Sequence, residues 1–329
     1  MCRLRNKHPD TLGLLTATTV DAIVRKIESS WKGAFTRWRK SGKAEFPQTK
    51  RRVYSLPLVY GSGVKYFPAE GKRHGHLRIK NVPGLIRVRE HRALPDTPIK
   101  TVNIRSEKDG TWYAVFVYEE SPELACVEHA RPVGIDLNLS AGSRIAWSDG
   151  EHDGFFEGPE IVALHEARHT RLDRAVSRKF KPGVRQSNRY RDAKRARARL
   201  ASKIARCRAD WIHNVTAHLA KTHEHIYCED LSPGFMLKNR RQAAKAADAS
   251  FGEFKRMLEY KCGDRVTFVN PAYTSQRCSQ CGNLKPMPLS ERVYRCEECG
   301  LELDRDTNAA RNVLRAGEKG ETKSQKASV

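Results

Sequence analysis

The sequence predicts a multidomain protein of mixed α and β structure, in which a helical and a β-rich region precede an α/β domain with an inserted four-cysteine zinc ribbon. Three observations predict this fold class. Hydrophobic residues recur at helical spacing in some segments and in short β-type runs in others. Cysteines form two closely spaced pairs. The 329 residues, of which 39% are hydrophobic, are enough for two or three domains with their own cores.

The first two regions are predicted from a change in hydrophobic spacing. Apolar residues recur at helical spacing from Val20 to Trp38, with basic side chains on the other faces. This indicates one amphipathic helix within a partial helical region at residues 1–50. Short runs such as LRIK, IRVRE, KTVNIR and WYAVFVY follow, separated by Gly, Pro and Asp. They predict a small sheet or barrel over residues 51–131.

An α/β domain is predicted over residues 132–277, with a further segment at 301–316. VGIDL, HIYCE and RVTFVN have the composition of short buried strands, and residues 143–147 are a plausible hairpin partner for the first. FGEFKRMLEYKC and DTNAARNVL carry apolar residues at helical spacing. Residues 317–329 are polar and are expected to be disordered.

A strongly basic helical insertion is predicted at about residues 160–222. Between Arg168 and Arg208 there are sixteen Lys or Arg and two acids, and Pro182 and Gly183 divide the stretch into two helices. A merely solvated helix face mixes charges of both signs, whereas a face of one sign repels itself unless phosphates lie against it. The predicted nucleic-acid contacts are Arg168, Arg171, Arg174, Arg178, Lys179, Arg185, Arg189, Arg195, Arg199 and Arg277.

The charge of the whole chain indicates a polyanionic partner. Its 61 Lys and Arg against 38 Asp and Glu give a net charge of +23 and a pI near 9.8. Phosphates neutralised by such residues release counterions, which gives affinity for DNA or RNA. No apolar run approaches the roughly 18 residues that span a bilayer, and residues 1–10 lack the apolar core of a secretion signal. We expect a cytoplasmic protein with no membrane partner and reduced cysteines.

Four cysteines predict one structural zinc ion. The pattern is CxxC, fourteen residues, then CxxC, and Gly follows each pair. Two residues between ligands let a tight turn aim both thiolates at a tetrahedral ion, and four thiolates leave no position for water. The ligands of this ribbon, predicted at residues 278–300, are Cys278, Cys281, Cys296 and Cys299.

Three acids lie where phosphodiester chemistry could use them. Asp136 and Glu229 end apolar runs, and Asp306 opens the last predicted helix. Two-metal hydrolysis needs several carboxylates that converge from different elements, and RNase H-like folds supply this arrangement with two Mg²⁺ ions. Asp230 and Asp304 are adjacent alternatives.

A zinc-protease motif is present but is rejected. His165, Glu166 and His169 spell HExxH. A catalytic HExxH helix needs a third ligand and an apolar environment, whereas this one opens the Arg-rich segment.

Several segments occur in an order known from one family. VGIDLNLS, IYCEDLS, FGEFKRMLEYKC, NPAYTSQRCSQCG, a second CxxCG and LDRDTNAARNVL follow one another over most of the chain. In this order they resemble the TnpB proteins, also called OrfB, of bacterial and archaeal insertion sequences, to which compact type V CRISPR effectors are similar. The resemblance implies an RNase H-like nuclease domain of the RuvC type whose acids are Asp136, Glu229 and Asp306. Within DxNAA it favours Asp306 over Asp304.

Two features differ from the usual family pattern. The family has Gly two places after the first Asp, where this chain has Asn138. Family members also open with a β-strand of a wedge domain and a fuller set of recognition helices. Residues 1–50 resemble only the later recognition helices, and residues 51–131 resemble the wedge domain. We therefore expect a truncated N-terminal region.

The resemblance implies a function and two alternatives. The leading hypothesis is an RNA-guided, Mg²⁺-dependent DNA endonuclease of a transposable element, with guide RNA and target double-stranded DNA as partners, in a prokaryotic cytoplasm at the nucleoid. A nuclease-inactive or truncated RNA-guided DNA-binding protein is the first alternative, and the presence of all three acids argues against it. A DDE-type transposase that performs DNA strand transfer shares the metal chemistry, and the sequence discriminates poorly between cutting and joining.

Overall fold

The computed structural model describes residues 15–43, 45–48, 54–69, 71, 73–91, 94–119, 131–137, 144–159, 161–231, 251–288 and 291–320. The chain divides into two compact units, Met1–Ser121 and Pro122–Val329. Asn138 lies outside the described residues.

The described residues of the first unit form one helix and two three-stranded antiparallel sheets. Its elements are α1 (Ala17–Ser41), β1 (Ser55–Val59), β2 (Val64–Phe67), β3 (His74–Ile79), β4 (Ile86–Arg89), β5 (Ile99–Ser106) and β6 (Trp112–Tyr118). One sheet has the order β1-β5-β6 and the other β2-β3-β4. Leu58, Val64, Leu77 and Val102 come from both sheets and are buried in one shared core.

The helix α1 begins and ends at recognisable caps. The hydroxyl of Thr16 accepts a hydrogen bond from the Thr19 amide, and Gly42 ends the helix in the left-handed conformation. The predicted apolar face of this helix is only partly covered. Val20 is buried, whereas Trp31 and Trp38 are 40% and 50% exposed.

The second unit is built on a five-stranded mixed sheet with a basic helical hairpin and a small two-stranded ribbon. Its elements are β7 (Val133–Leu137), β8 (Ile145–Ser148), β9 (Asp153–Phe156), α2 (Ile161–Lys179), α3 (Asn188–Thr222), β10 (Ile226–Glu229), α4 (Phe251–Cys262), β11 (Val266–Val269), β12 (Val293–Arg295), β13 (Glu302–Asp304) and α5 (Arg305–Glu318). The sheet order is β11-β10-β7-β8-β9. The three strands β11, β10 and β7 are parallel, and the hairpin β8-β9 continues the sheet antiparallel.

Helices cover both faces of this sheet. Side chains of α3 and α4, including Ile212, Leu219 and Phe254, join Val133 and Ile135 in one core on the first face. The helix α5 packs on the opposite face against β7 and β8.

Glycines at two positions let α5 approach the sheet closely. An added Cβ at Gly134 would lie 2.3 Å from the carbonyl oxygen of Ala310, and one at Gly317 would lie 2.0 Å from the Tyr227 ring. Gly317 is therefore a contact residue within the helix. The prediction that disorder begins at residue 317 is wrong at this point, because α5 continues to Glu318. Residues 321–329 of the predicted tail lie outside the described residues.

Candidate active site and zinc centre

Two of the predicted acids lie side by side at the ends of parallel strands. Cys228 on β10 pairs with Ile135 on β7, so Glu229 and Asp136 follow at the next position of each strand and share one face. This is the face covered by α5, because Gly134 and Tyr227, two residues earlier on the two strands, both contact that helix. The carboxyl groups of Asp136 and Glu229 hydrogen bond to each other.

The third acid enters from the first turn of α5. Asp304 is the N-cap of this helix, and its Oδ1 accepts hydrogen bonds from the amides of Asp306 (2.8 Å) and Thr307 (3.3 Å). Asp306 is 3% exposed and interacts electrostatically with both Asp136 and Glu229. The structure therefore brings Asp136, Glu229 and Asp306 together from two strands and a helix.

The alternatives Asp304 and Asp230 have other partners. Asp304 caps the helix, and its Oδ2 lies 3.7 Å from Arg144 Nη1. Asp230 forms an ion pair with Lys255 of α4. Both acids thus have roles in local structure that Asp136 and Glu229 do not have.

Burial is the main influence on the pKa values of Asp136 and Glu229. Burial raises the pKa of Asp136 well above its usual range, and the neighbouring charges of Glu229 and Asp306 raise it further. Burial also raises the pKa of Glu229 to about 7, although a hydrogen bond from Thr274 works in the opposite direction. Close, desolvated carboxylates of this kind are held ionised by a bound cation. The carboxylate oxygens of this cluster are the type of ligand that divalent metal ions prefer.

Arg305 is a buried cation beside the cluster. Its Nε and Nη2 each lie 3.2 Å from Asp306 Oδ1, and its Nη1 donates to the carbonyl of Glu291 at 3.2 Å. Its charge opposes the rise in the pKa of Asp136. Arg292 Nη1 lies 3.8 Å from Asp306 Oδ2. The guanidinium group of Arg305 thus orientates the carboxylate of Asp306 and also contacts the ribbon at Glu291.

These pKa shifts predict a pH-dependent stability of the metal-free protein. Because the folded pKa of Asp136 and Glu229 is raised, the folded state keeps protons that the unfolded chain releases above about pH 4.5. Stability should therefore be fully present below that pH and fall as the pH rises through about 7. We expect the melting temperature in Mg²⁺-free buffer to drop by about 5 °C between pH 5 and pH 8.

Two comparisons check the origin of this pH effect. In the double variant Asp136→Asn with Glu229→Gln, the melting temperature should change much less between the two pH values. Added Mg²⁺ should stabilise the wild-type protein more at pH 8 than at pH 5, because the ion competes with protons. An equal pH dependence in the wild-type protein and the double variant would contradict the assignment.

The four cysteines of the predicted ribbon lie in one cluster with the spacing of a metal site. Their Sγ atoms all lie within 4.8 Å of one another, and Cys278–Cys299 and Cys281–Cys296 are separated by 3.6 Å and 3.5 Å. Zn–S bonds of about 2.3 Å in a tetrahedron place sulfur atoms a little under 4 Å apart. The donor set therefore fits a closed zinc site with no position for water.

The ribbon is continuous with the helix that carries Asp306. β12 and β13 pair antiparallel, and β13 ends at Asp304, the N-cap of α5. Its core is small and consists of Cys278, Tyr294 and Cys296, with Met287 and Leu301 packed against them. A core of this size depends on its metal for stability.

The predicted nucleic-acid contacts are exposed. Those of α2 and α3 lie on a helical hairpin whose arms are joined by Asp173, which pairs with Arg197 (3.2 Å) and His169 (2.9 Å). The second histidine of the HExxH motif therefore contacts an acid of its own helix. Arg277 lies beside the cysteine cluster with an exposed side chain.

Sequence reasoning missed a basic face in the first unit. Across β2, β3 and β4 the register places Lys65 opposite Arg78, His76 opposite Arg87 and His74 opposite Arg89. Lys65 and Arg78 are directly opposed like charges, which destabilise a sheet, and the three strands contain no acid. The alternation of basic and apolar residues in HGHLRI and IRVR was the available signal. A phosphate backbone is the ligand that such a face fits.

Sequence families match most of the second unit. A family described as "Probable transposase" (OrfB, IS605) matches residues 115–240, and the "Cas12f1-like, TNB domain" matches residues 251–313. The chain is 31% identical over 313 residues to an Escherichia coli K12 protein named "Putative RNA-guided DNA endonuclease InsQ", covering 89% of this chain and 73% of that protein. It is also 31% identical over 251 residues to a Streptomyces pristinaespiralis protein named "Putative RNA-guided DNA endonuclease", of which it spans 60%.

A solved structure shares the fold. The Cas12f1 chain of a complex with single guide RNA and target DNA matches with a TM-score of 0.57 at 14% identity, over 88% of this chain and 69% of that one. Among the described helices, none has the length and apolar character needed to cross a bilayer.

Proposed function

The chain belongs to the TnpB/OrfB family of insertion-sequence proteins, and from this membership we propose that it is an RNA-guided, Mg²⁺-dependent DNA endonuclease. The observation that carries the proposal is the buried cluster of Asp136, Glu229 and Asp306. Burying three carboxylates next to one another destabilises a fold, because each is desolvated near the others. Such a cluster is therefore expected where the acids serve a reaction.

The cluster supports phosphodiester hydrolysis. Asp136, Glu229 and Asp306 would hold two Mg²⁺ ions, which in such sites activate water and stabilise the leaving oxygen. Asp136 and Glu229 present adjacent carboxylates near the carboxyl ends of two neighbouring parallel strands, and Asp306 closes the site from the helix. The fork of Arg305 holds one oxygen of Asp306. We assign this unit to the RNase H-like fold of the RuvC type because its mixed sheet delivers two acids from neighbouring parallel strands.

The basic surfaces support binding of guide RNA and target DNA. The exposed arginines of α2 and α3 and the basic face of β2, β3 and β4 each present one sign of charge. Such surfaces bind a phosphate backbone without reading its sequence, which suits a protein whose specificity comes from base pairing. We propose that residues 51–131 form the wedge-like domain, that residues 132–277 form the nuclease domain with its basic helical insertion, and that residues 278–300 form the ribbon.

The experiment that tests the proposal is the recovery of the guide. The full chain, expressed with the sequence downstream of its gene, should purify with a discrete bound RNA, and the complex should cut a plasmid that carries a matching target. The target should be placed beside a randomised flank so that any required flanking motif is present. A protein free of nucleic acid after a low-salt purification would contradict the proposal. Joined rather than cleaved products would favour the strand-transfer alternative.

A further inference from the structure

The loop before the first cysteine pair and the helix α5 form one hydrogen-bond network. Asn308, two residues after Asp306, is fully buried. Its Nδ2 donates to the carbonyl of Arg277 at 2.8 Å, and its Oδ1 accepts from the amide of Ser279 at 2.9 Å. Ser279 directly follows the zinc ligand Cys278. The carboxamide of Asn308 thus links α5, which carries Asp306, to the turn that carries Cys278.

A second carboxamide repeats this contact one turn later. Asn312 Nδ2 donates to the carbonyl of Arg277 at 2.6 Å and to that of Thr274 at 2.8 Å. Residues four apart lie on one face of a helix. Asn308 and Asn312 therefore hold the segment from Thr274 to Ser279 along the side of α5.

The same segment reaches the second acid. The hydroxyl of Thr274 donates a hydrogen bond to Glu229 Oε1 at 2.5 Å. The carbonyl of Thr274 accepts a hydrogen bond from Asn312 of α5. A shift of α5 would therefore also move the Thr274 hydroxyl. The network therefore contacts Glu229 at one end, the helix of Asp306 in the middle and the cysteine turn at the other end.

We propose that Thr274, Asn308 and Asn312 are positioning residues that make the divalent-ion affinity of the three acids depend on the zinc centre. This inference rests on the proposed function, because it assumes that the acids bind metal. Metal ligands must be held within about 0.5 Å of their working geometry. Groups that hydrogen bond to metal ligands contribute about 10- to 100-fold in metal affinity.

The zinc centre supplies the fixed point of the network. With zinc bound, the turn that carries Cys278 and Ser279 has one conformation, so the Ser279 amide and the Arg277 carbonyl are fixed partners for Asn308. Without zinc, four thiols no longer hold this turn, and Asn308 loses its fixed partners, so the segment from Thr274 to Ser279 is held less firmly against α5. Glu229 and Asp306 then become less well aligned for a shared pair of ions.

The first test measures Mn²⁺ binding to the full chain, freed of nucleic acid at high salt, by electron paramagnetic resonance. Thr274→Val should weaken Mn²⁺ binding about tenfold, whereas Thr274→Ser, which keeps the hydroxyl, should restore it. The matched control is Thr267→Val on β11, which removes a hydroxyl that lies 2.8 Å from His225 Nε2. It should leave Mn²⁺ affinity unchanged. Zinc content should stay at one ion per chain in all three variants.

Two outcomes of this test would count against the inference. Wild-type Mn²⁺ affinity in Thr274→Val would show that the hydroxyl does not position Glu229. Failure of Thr274→Ser to recover affinity would have the same meaning. If Asp136→Ala did not remove the Mn²⁺ site, the metal assignment of the acids would itself be wrong, which separates failure of the proposed function from failure of the coupling.

The second test asks whether zinc affects Mn²⁺ affinity through the hydrogen bonds of Thr274, Asn308 and Asn312. Removal of zinc by Cys296→Ser should lower Mn²⁺ affinity in the wild-type background and lower it much less in the Thr274→Val background. Equal losses in both backgrounds would overturn the proposed route. If Cys296→Ser does not fold, zinc can be removed from the intact chain with a thiol reagent, and the same comparison applies.

Discussion

We expect replacement of Asp136 with Asn to remove nearly all cleavage of a matched target and to leave guide and target binding in place. The amide keeps the size of the side chain but removes a charged oxygen ligand from a buried metal site. Loss of about 4 kcal/mol of transition-state stabilisation corresponds to about a thousandfold slower cleavage. The measurement is single-turnover cleavage of a plasmid target by the purified RNA complex, with binding measured separately in Ca²⁺.

The same substitution should raise the stability of the metal-free protein. Asp136 is desolvated beside Glu229 and Asp306, and both circumstances raise its pKa. An amide has no charge to desolvate, so the melting temperature at pH 8 should increase while activity is lost. Asp264→Asn, at an exposed position before β11, is the matched control and should change neither property. Wild-type cleavage by Asp136→Asn would show that these acids are not the catalytic site.

We expect replacement of Cys296 with Ser to remove the zinc ion and most of the cleavage activity. Structural zinc sites contribute about 10 to 16 kcal/mol of apparent binding free energy, and the small core around Tyr294 cannot replace that contribution. The ribbon leads directly through β13 into α5, and Arg305 joins the Asp306 carboxylate to the carbonyl of Glu291. We therefore expect at least tenfold slower cleavage, together with less than one zinc ion per chain.

The matched control for this variant is Cys207→Ser on α3. Cys207 is partly exposed and lies outside the cysteine cluster, so zinc content and cleavage should both stay at wild-type values. Zinc is measured by a colorimetric release assay and cleavage by the plasmid assay. If Cys296→Ser lost zinc and cut at the wild-type rate, the ribbon would only stabilise the fold.

Patterns with a strong local cause were predictable from sequence. The apolar run VGIDL became the buried strand β7, the basic stretch divided at Pro182 and Gly183 became α2 and α3, and the apolar spacing of DTNAARNVL lies within α5. The spacing of the four cysteines placed their sulfur atoms within one cluster. In each case neighbouring residues determine the geometry.

Features that depend on contacts between distant segments were not predictable. Arg305 looks like any helix arginine in the sequence, and only the fold buries it and brings it to the carbonyl of Glu291. Gly317 resembles a helix terminator, but its partner is the Tyr227 ring on another element. The basic face of the first unit requires the strand register, which a single sequence does not reveal.

The distribution of the acids along the chain has a consequence for biosynthesis. Asp136 lies on the first strand of its sheet, Glu229 follows a long basic hairpin, and Asp306 comes after the ribbon. A nascent chain still on the ribosome, or a proteolytic fragment that lacks α5, has two of the carboxylates at most. Under the proposed function, the cutting centre is completed only when α5 docks on β7, so we expect an immature chain that already holds RNA not to cut DNA.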